Sequence, residues 1–253
     1  MRKYKGQDVL AGALAFLLAV SLAGCCKSDN NERHSLSLLS GVLGSGTIEP
    51  PVGLASAGTF RVLGGSAVTN TGPTSVDGAV GVSPGSSISG FPPGTTSCGP
   101  SCIHVNDGPA GTAQSDLTIA YNNAAGRPPG TAVAGNIGGQ TLAPGVYTST
   151  STLAISSGDL TLTALGNSNA VFIFQIASSL TVTSGRQVIL AGGAKASNVF
   201  WQVGSSATLG TNSFFVGDIM ALASITLQTG ASLQGRALAS TGAVSLDSAV
   251  IFP

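Results

Sequence analysis

Apolar and polar residues alternate along most of the chain after residue 50. The pattern is clearest beyond residue 150, where short groups place an aliphatic or small apolar side chain at the first and third positions. Alternation with a period of two is typical of a β-strand that buries one face. The apolar pairs of these predicted strands are Leu153/Ile155, Leu180/Val182, Ala207/Leu209, Ile225/Leu227 and Val244/Leu246.

The predicted strands recur at regular distances along the chain. The groups that begin at Leu153, Leu180 and Ala207 are separated by two equal long repeats, and shorter repeats follow to Ile225 and Val244. The string FQI at residues 174–176 returns as WQV at residues 201–203, at the same offset as the long repeats. Further apolar stretches, at residues 160–162, 171–176, 188–190 and 199–203, give each unit two or three strands. Repeats of this kind, built from short strands, predict the coils of a parallel β-solenoid.

The segment before these repeats also contains predicted strands, at residues 60–63, 67–69, 79–82 and 87–89. None has a clear partner one long repeat further along the chain. The sequence therefore leaves two arrangements open. The segment either pairs with the later coils or forms a separate half-solenoid.

A single helix is predicted over about residues 109–125. Asp107 is a candidate N-cap, Pro109 suits the first turn, and Gly126 suits the position just after the helix before Pro128 and Pro129 prevent its continuation. An apolar stripe follows helical spacing and is formed by Ala113, Leu117, Ala120, Tyr121 and Ala124. We expect this stripe to cover an apolar face of the solenoid.

The N-terminal residues predict export and a lipid anchor. A basic start is followed by a short apolar stretch that ends in Leu-Ala-Gly before Cys25, which resembles a bacterial lipoprotein signal. We expect residues 1–24 to be removed, Cys25 to be lipidated, and residues 25–51 to form a flexible tether. Residues 52–253 then form one domain, held by its anchor at the outer membrane or cell surface.

The amino-acid composition argues against several classes of function. Charged residues make up 8% of the chain, compared with about 25% in an average protein. Without the signal, seven basic and nine acidic residues remain, too few and too mixed for nucleic-acid binding. Cys98 and Cys102 predict a disulfide in an exported protein. A metal site would need two more ligands, and only His104 lies near, so no metal or other cofactor is expected.

Several strings in residues 52–253 resemble the microbial ice-binding proteins. They are VTNTGPT (68–74), GVSPG (81–85), GFPPG (90–94), LAPGVY (142–147), VFWQV (199–203), GSSATLG (204–210) and GRALA (235–239). The resemblance implies a discontinuous, three-faced parallel β-solenoid with one long α-helix alongside it, and N-terminal strands that complete the coils. It also implies that one flat face binds an ice crystal.

The repeat register predicts which residues form that face, because side chains between the inward pairs point outward. The central row is Ala154, Thr181, Thr208, Thr226 and Ser245; one flanking row is Thr152, Ser179, Ser206, Ser224 and Ala243; the other is Ser156, Thr183, Gly210, Gln228 and Asp247. Asp247 is the only charged residue among them. Adjacent coils lie about 4.7–4.9 Å apart, and a rigid grid of hydroxyls and methyls at that spacing can order an ice-like layer of water.

Other functions are compatible with parts of the pattern. A cell-surface adhesion or structural module would share the anchor, the solenoid and the hydroxyl face. A polysaccharide-active β-helix would need paired carboxylates, whereas the acidic residues here are scattered. The GVSPG string matches a hydrolase pattern, but Pro84 lacks the N–H that an oxyanion hole requires. We therefore expect a monomeric ice binder with no catalytic residue, which meets the membrane only through its anchor.

Overall fold

The computed structural model of the protein describes residues 49–253. The predicted signal segment, Cys25 and most of the predicted tether lie outside the described residues. The end of that tether, however, contacts the domain: Arg127 Nη1 donates to Glu49 at 2.9 Å, and its Nη2 donates to the Pro50 carbonyl at 3.0 Å. Ordered contacts thus begin before the predicted boundary at residue 52. No helix in residues 49–253 is long and apolar enough to cross a membrane.

The chain from residue 55 to residue 105 forms short strands, as the alternation predicts. A 3-10 helix, Ala55–Thr59, precedes them, and another, Gly99–Cys102, lies just before the last. Cys98 and Cys102 are joined by the predicted disulfide. The strands are β1 (Phe60–Gly64), β2 (Ala67–Thr71), β3 (Ser75–Val76), β4 (Ala79–Val82), β5 (Ser87–Ser89), β6 (Thr95–Thr96) and β7 (Ile103–Val105).

Helix α1 spans Gly108–Ala125, within one residue of the prediction at its start. Asp107 is the N-cap, and its Oδ1 accepts a hydrogen bond from the Ala110 N–H at 3.0 Å. Gly126 differs from the prediction in its position and conformation. It is the C-cap residue and has a right-handed φ of −83°, whereas a glycine just after a helix commonly adopts a left-handed φ.

The rest of the chain forms sixteen strands, with a 3-10 helix at Ala196–Asn198. They are β8 (Thr131–Ala132), β9 (Gly135–Asn136), β10 (Thr141–Leu142), β11 (Gly145–Ser149), β12 (Leu153–Ile155), β13 (Leu160–Thr163), β14 (Phe172–Ile176), β15 (Leu180–Val182), β16 (Val188–Ala191), β17 (Val199–Val203), β18 (Ala207–Leu209), β19 (Phe214–Ala221), β20 (Ile225–Leu227), β21 (Ser232–Ala239), β22 (Val244–Asp247) and β23 (Val250–Phe252).

These strands form three parallel sheets, the faces of a solenoid. Sheet A has twelve strands, with the order β6-β3-β23-β21-β19-β17-β14-β11-β8 and a branch of β1, β4 and β7. Sheet B has eight, in the order β5-β2-β22-β20-β18-β15-β12-β9, and sheet C has β10, β13 and β16. Each long repeat of the sequence is one coil, since Phe174 pairs with Trp201 and Leu180 with Ala207.

Later coils are shorter because one long strand replaces two short ones. β19 and β21 each have eight residues, and the bridge between Gln187 and Phe214 shows that β19 begins where sheet C ends. Each long strand turns the corner at a glycine with positive φ, Gly217 (108°) and Gly235 (147°). A Cβ on Gly235 would lie 2.1 Å from the Gly217 carbonyl oxygen. Glycine is therefore required at this corner.

The N-terminal strands complete the solenoid and do not form a separate half. β2 pairs with β22, β1 with β21, and β3 with β23, all parallel. Strands that are first in sequence thus extend the sheets beyond the last coil. This answers the question that the repeat spacing left open.

Two apolar clusters hold the fold together. Inside the solenoid, aromatic rings stack from coil to coil: Phe174 lies 3.8 Å from Trp201 and 5.2 Å from Tyr147, between ring centroids. Between sheet A and α1, the predicted helix stripe packs on Ile173, Phe200 and neighbouring apolar residues. Ala113, Leu117, Ala120 and Ala124 are buried, and Tyr121 is partly buried at the edge.

Candidate functional site

Sheet B has the inward and outward alternation that the sequence predicts. All ten residues of the predicted inward pairs are buried in the solenoid core, from Leu153 in β12 to Leu246 in β22. The partners across the sheet are in register, with Thr181 opposite Thr208, Thr208 opposite Thr226, and Thr226 opposite Ser245. The outward side chains therefore form straight rows that run across the strands.

The central row is partly or fully exposed along its whole length. Its members are Ala154, Thr181, Thr208, Thr226 and Ser245. Within the described residues, the hydroxyls of Thr181, Thr208 and Thr226 have no protein hydrogen-bond partner, whereas the hydroxyl of Ser245 accepts a hydrogen bond from Thr69 Oγ1. These three hydroxyls are thus available to water or to a ligand.

In the flanking row at the start of the strands, two serine hydroxyls bind the neighbouring coil. Ser206 Oγ accepts a hydrogen bond from the Ser224 N–H, and Ser224 Oγ accepts one from the Ala243 N–H, each at 3.3 Å. Thr152 is exposed, and Ser179, Ser206, Ser224 and Ala243 are partly exposed. The row lies on the predicted face, but two of its hydroxyls are already engaged in coil-to-coil contacts.

The other flanking row contains one position that does not fit the prediction. Ser156, Thr183 and Gln228 are exposed and Asp247 is partly exposed, but Gly210 is buried. A Cβ on Gly210 would lie 2.5 Å from the Ser184 nitrogen. The residue lies just after β18, in a turn that packs on the neighbouring coil, so it is not part of the outward surface.

The carboxylate of Asp247 accepts hydrogen bonds from neighbouring hydroxyls. Its Oδ2 accepts a hydrogen bond from Thr229 Oγ1, and its Oδ1 accepts one from Ser248 Oγ at 3.1 Å. Thr183 Oγ1 donates to the Ile155 carbonyl at 3.3 Å. Side chains at this border of the sheet are therefore fixed largely by contacts within the protein.

The N-terminal strands add residues to the face that the sequence analysis missed. β2 and β5 continue sheet B, with Thr69 opposite Ser245 and Ser89 opposite Thr69. Thr69 Oγ1 donates to Ser245 Oγ at 3.2 Å, and Thr71 continues the row of Asp247. The alternation in β2 was a usable signal, but its partner strand could not be identified because β2 does not follow the repeat spacing.

At the opposite end of sheet B, the side chain of Asn136 follows Ala154 in the central row. Its Nδ2 donates to Ser157 Oγ, and its Oδ1 accepts hydrogen bonds from the backbone N–H groups of Ser156 and Gly138 at 2.8 and 3.1 Å. Asn136 thus closes the end of the sheet through contacts with its own neighbours. The two ends of the face are chemically different.

The ion pair with the most buried carboxylate among the described residues lies on sheet A. Asp218 is 2% exposed, and Arg236 Nη1 donates to its two carboxylate oxygens at 2.9 and 3.1 Å. Burial raises the pKa of Asp218, and the charge of Arg236 opposes that rise. Burial also lowers the pKa of Arg61, with repulsion by Arg236 as the second cause. These charges are kept on a different sheet from the hydroxyl rows.

The residues that could indicate chemistry are separated or occupied. Ser83 of the hydrolase-like string is buried, and its hydroxyl donates to Asn106 Oδ1 at 3.3 Å. His104 Nδ1 lies 2.8 Å from the carboxylate of Asp107, which also caps the helix. Within residues 49–253, no three His, Cys, Asp or Glu side chains gather as a metal site would require.

Comparison with known proteins identifies the family. The sequence model described as "Ice-binding-like" matches residues 62–252. The chain belongs to this ice-binding-like family. An ice-binding protein of Nostoc sp. is 48% identical over 196 residues, which cover 77% of this chain and 71% of the relative. One of Flavobacterium frigoris is 36% identical over 214 residues, covering 80% and 76%.

Solved structures of the family have the same architecture. The crystal structure of an ice-binding protein from an Antarctic biological consortium superposes with a TM-score of 0.78 at 52% sequence identity. The match covers 82% of this chain and 93% of that protein. The predicted β-solenoid with one helix is therefore confirmed, and so is the resemblance from which it was partly inferred.

Proposed function

We propose that this protein binds ice through the outward face of sheet B, and that it inhibits ice growth and recrystallisation or attaches the cell to ice. The relatives from Nostoc and Flavobacterium frigoris, with which it shares 48% and 36% identity, are ice-binding proteins. The central row makes the closest contact with the ice, and the exposed members of the two flanking rows lie on either side of it.

The observation that carries the proposal is the central row itself. Thr181, Thr208 and Thr226 present hydroxyls with no partner in the described residues, in register on parallel strands about 4.7–4.9 Å apart. Each threonine also exposes a methyl group. Such a row can hold waters at a regular spacing, and those waters can join the crystal lattice.

The scaffold favours adsorption because little freedom is lost on binding. Coil-to-coil hydrogen bonds, a stacked aromatic core and a packed helix fix the face before ice is met. A preorganised surface avoids most of the ordering cost of binding. Lys and Arg are absent from the three rows, so no cation orients water against the lattice. Ice then grows as curved fronts between adsorbed molecules, which lowers the local freezing point.

The proposal includes no catalysis. The family is one of ice-binding proteins, and the hydroxyl that most resembles a nucleophile, Ser83, is bonded in the protein interior. A cell-surface adhesion module is the second candidate, because the sequence that resembles a lipoprotein signal and ends before Cys25 favours attachment to the cell envelope. Adhesion to ice would combine both functions. We propose that the protein acts as a monomer.

Variants at the centre of the face test the function. Thr208→Tyr and Thr226→Tyr add a ring that holds neighbouring residues away from a flat crystal, so we expect thermal hysteresis to fall to roughly a third or less, as central interface positions dominate binding. Ile189→Tyr is the matched control, since Ile189 is 42% exposed on sheet C. It should be much milder.

Circular dichroism should show that all three variants fold, because outward strand positions tolerate aromatic residues. Ice-affinity partitioning should recover the parent protein and the Ile189 variant in the ice. If both threonine variants fold and keep full hysteresis, sheet B is not the ice-binding face. In that case sheet C would be the next surface to test.

The proposal for localisation rests on the sequence. We propose that the chain is exported and is held by a lipid on Cys25 at the outer membrane or cell surface. Cys26 does not match an inner-membrane retention signal.

A further inference from the structure

We infer that the ice-contacting row continues from β22 onto the N-terminal strands β2 and β5, and that its centre is displaced toward those two strands. The inference deepens the proposed function and rests on it. Thr69 and Ser89 become binding residues, whereas Ala154 lies at the margin. The displacement is visible only in the pairing of strands that are far apart in sequence.

The first step is the continuity of the row. Ser245 pairs with Thr69 and Thr69 with Ser89, in the same parallel register that joins the earlier coils. Thr69 and Ser89 are exposed. Their inward neighbours Val68 and Ile88 pack against the core, so both hydroxyl residues must point outward, as the central row does.

The second step is the chemistry of the two ends. At the N-terminal end, Thr69 and Ser245 share a hydrogen bond of 3.2 Å that links two strands while leaving both oxygens at the surface. At the other end, Ala154 has no hydroxyl. Asn136 is the next residue of the row, and its side-chain amide is hydrogen-bonded to Ser156, Ser157 and Gly138. In the central row, residues that carry a hydroxyl group therefore stop at Thr181 in one direction and continue to Ser89 in the other.

The third step locates the centre of the row. The hydroxyl residues, in spatial order, are Ser89, Thr69, Ser245, Thr226, Thr208 and Thr181. Its midpoint lies between Ser245 and Thr226, and Thr69 and Thr208 are equally distant from it. Five intervals of about 4.8 Å give a row of about 24 Å. A row limited to the repeats after residue 150 would instead be centred on Thr208.

The experiment compares tyrosine variants of the full chain by thermal hysteresis at equal protein concentration. If the centre is displaced, Thr69→Tyr should reduce hysteresis about as much as Thr208→Tyr, and Ala154→Tyr clearly less, because losses are largest near the centre of an interface. If the row is centred on Thr208, Ala154 is closer to the centre than Thr69. The order of the two losses then reverses.

Ser89→Tyr protects the test against a folding defect, since β5 is the edge strand of sheet B. It too should cost more hysteresis than Ala154→Tyr, with an unchanged circular dichroism spectrum. Losses from Ala154→Tyr that equal or exceed those from Thr69→Tyr and Ser89→Tyr would overturn the inference. Should Thr208→Tyr also be without effect, the proposed function of sheet B fails as well, so the two failures can be told apart.

Discussion

The hydroxyl groups of sheet B differ in whether they have a hydrogen-bond partner within the protein. Ser206 and Ser224 accept backbone N–H groups of the following coil, whereas Thr208 and Thr226, further along the same strands, leave their hydroxyls without a protein partner among the described residues. A hydrogen bond contributes about 0.5–1.5 kcal/mol to stability. We therefore propose that these two serines help to fix the spacing of the coils, and that the threonines contact the ice.

Ser224→Ala tests this division. The variant removes the acceptor for the Ala243 N–H at 3.3 Å, so the free energy of unfolding should fall by about 0.5–1.5 kcal/mol, while thermal hysteresis is retained. Thr226→Val is the matched control, with a hydroxyl that has no partner to lose. Its unfolding free energy, measured by denaturant titration, should stay within about 0.5 kcal/mol of the parent. A Ser224 variant with parental stability and reduced hysteresis would contradict the assignment.

Single residues also explain where the sequence misled. Gly210 occupies a row position by counting, yet its backbone packs so closely on the next coil that a side chain would collide there. Asn70, in contrast, is a polar residue at a position that points inward. It pairs with Leu246, and its amide donates to the carbonyls of Gly72 and Gly90. This polar residue inside the core interrupts the apolar pattern that would have identified β2 as a coil strand.

At the scale of elements, the sequence predicted what is local. Strand alternation identified the inward pairs of sheet B, and capping signals with an apolar stripe located α1. It could not predict which coil β1, β2 and β3 complete, because β2 pairs with β22 near the opposite end of the chain. Nor did spacing alone explain why the repeats become shorter after Ala207. That change needs β19, which turns a corner at Gly217 and so replaces two short strands.

Asp107 connects α1 to the strand before it and is sensitive to acid. Its hydrogen bond from the Ala110 N–H, with a smaller contribution from His104, lowers the pKa of its carboxyl below the ordinary value of 3.8. A carboxyl with a depressed folded-state pKa stabilises the fold fully above its unfolded value. That stabilisation is lost as the pH falls from about 3.8 through the folded value.

Asp107→Asn isolates this effect, because asparagine is an equally good N-cap but does not titrate. We expect similar melting temperatures at pH 7, and a larger fall for the parent than for the variant between pH 5 and pH 2. Asp107→Ala, which lacks the cap, should melt lower already at pH 7. Parallel curves of melting temperature against pH for the parent and Asp107→Asn would show that this carboxyl does not contribute to the acid response.

At the scale of the whole molecule, the fold keeps its buried ion pair and its hydroxyl rows on different sheets. The pair of Asp218 and Arg236 lies on sheet A, where α1 also covers the apolar strands, and sheet B carries the hydroxyl rows, in which Asp247 is the only charged residue. Because β1 and β2 dock on the last coil, the beginning of the described chain is fastened to its end. The solenoid can thus present eight strands of sheet B as one surface.

The lipid anchor is tested on the full-length chain in a bacterium that processes lipoproteins. If Cys25 carries the lipid, the parent should fractionate with membranes and Cys25→Ala should stay as precursor or move to the aqueous fraction. Acyl chains bind a bilayer by about 0.8 kcal/mol per buried methylene group, and the variant lacks them. Cys26→Ala is the matched control and should remain with the membrane.

Purified Cys25→Ala should keep full thermal hysteresis, because residues 49–253 contain all the proposed ice contacts. Mass spectrometry showing a mature N-terminus at another residue, without acyl groups, would contradict the anchor and leave the ice-binding face unaffected.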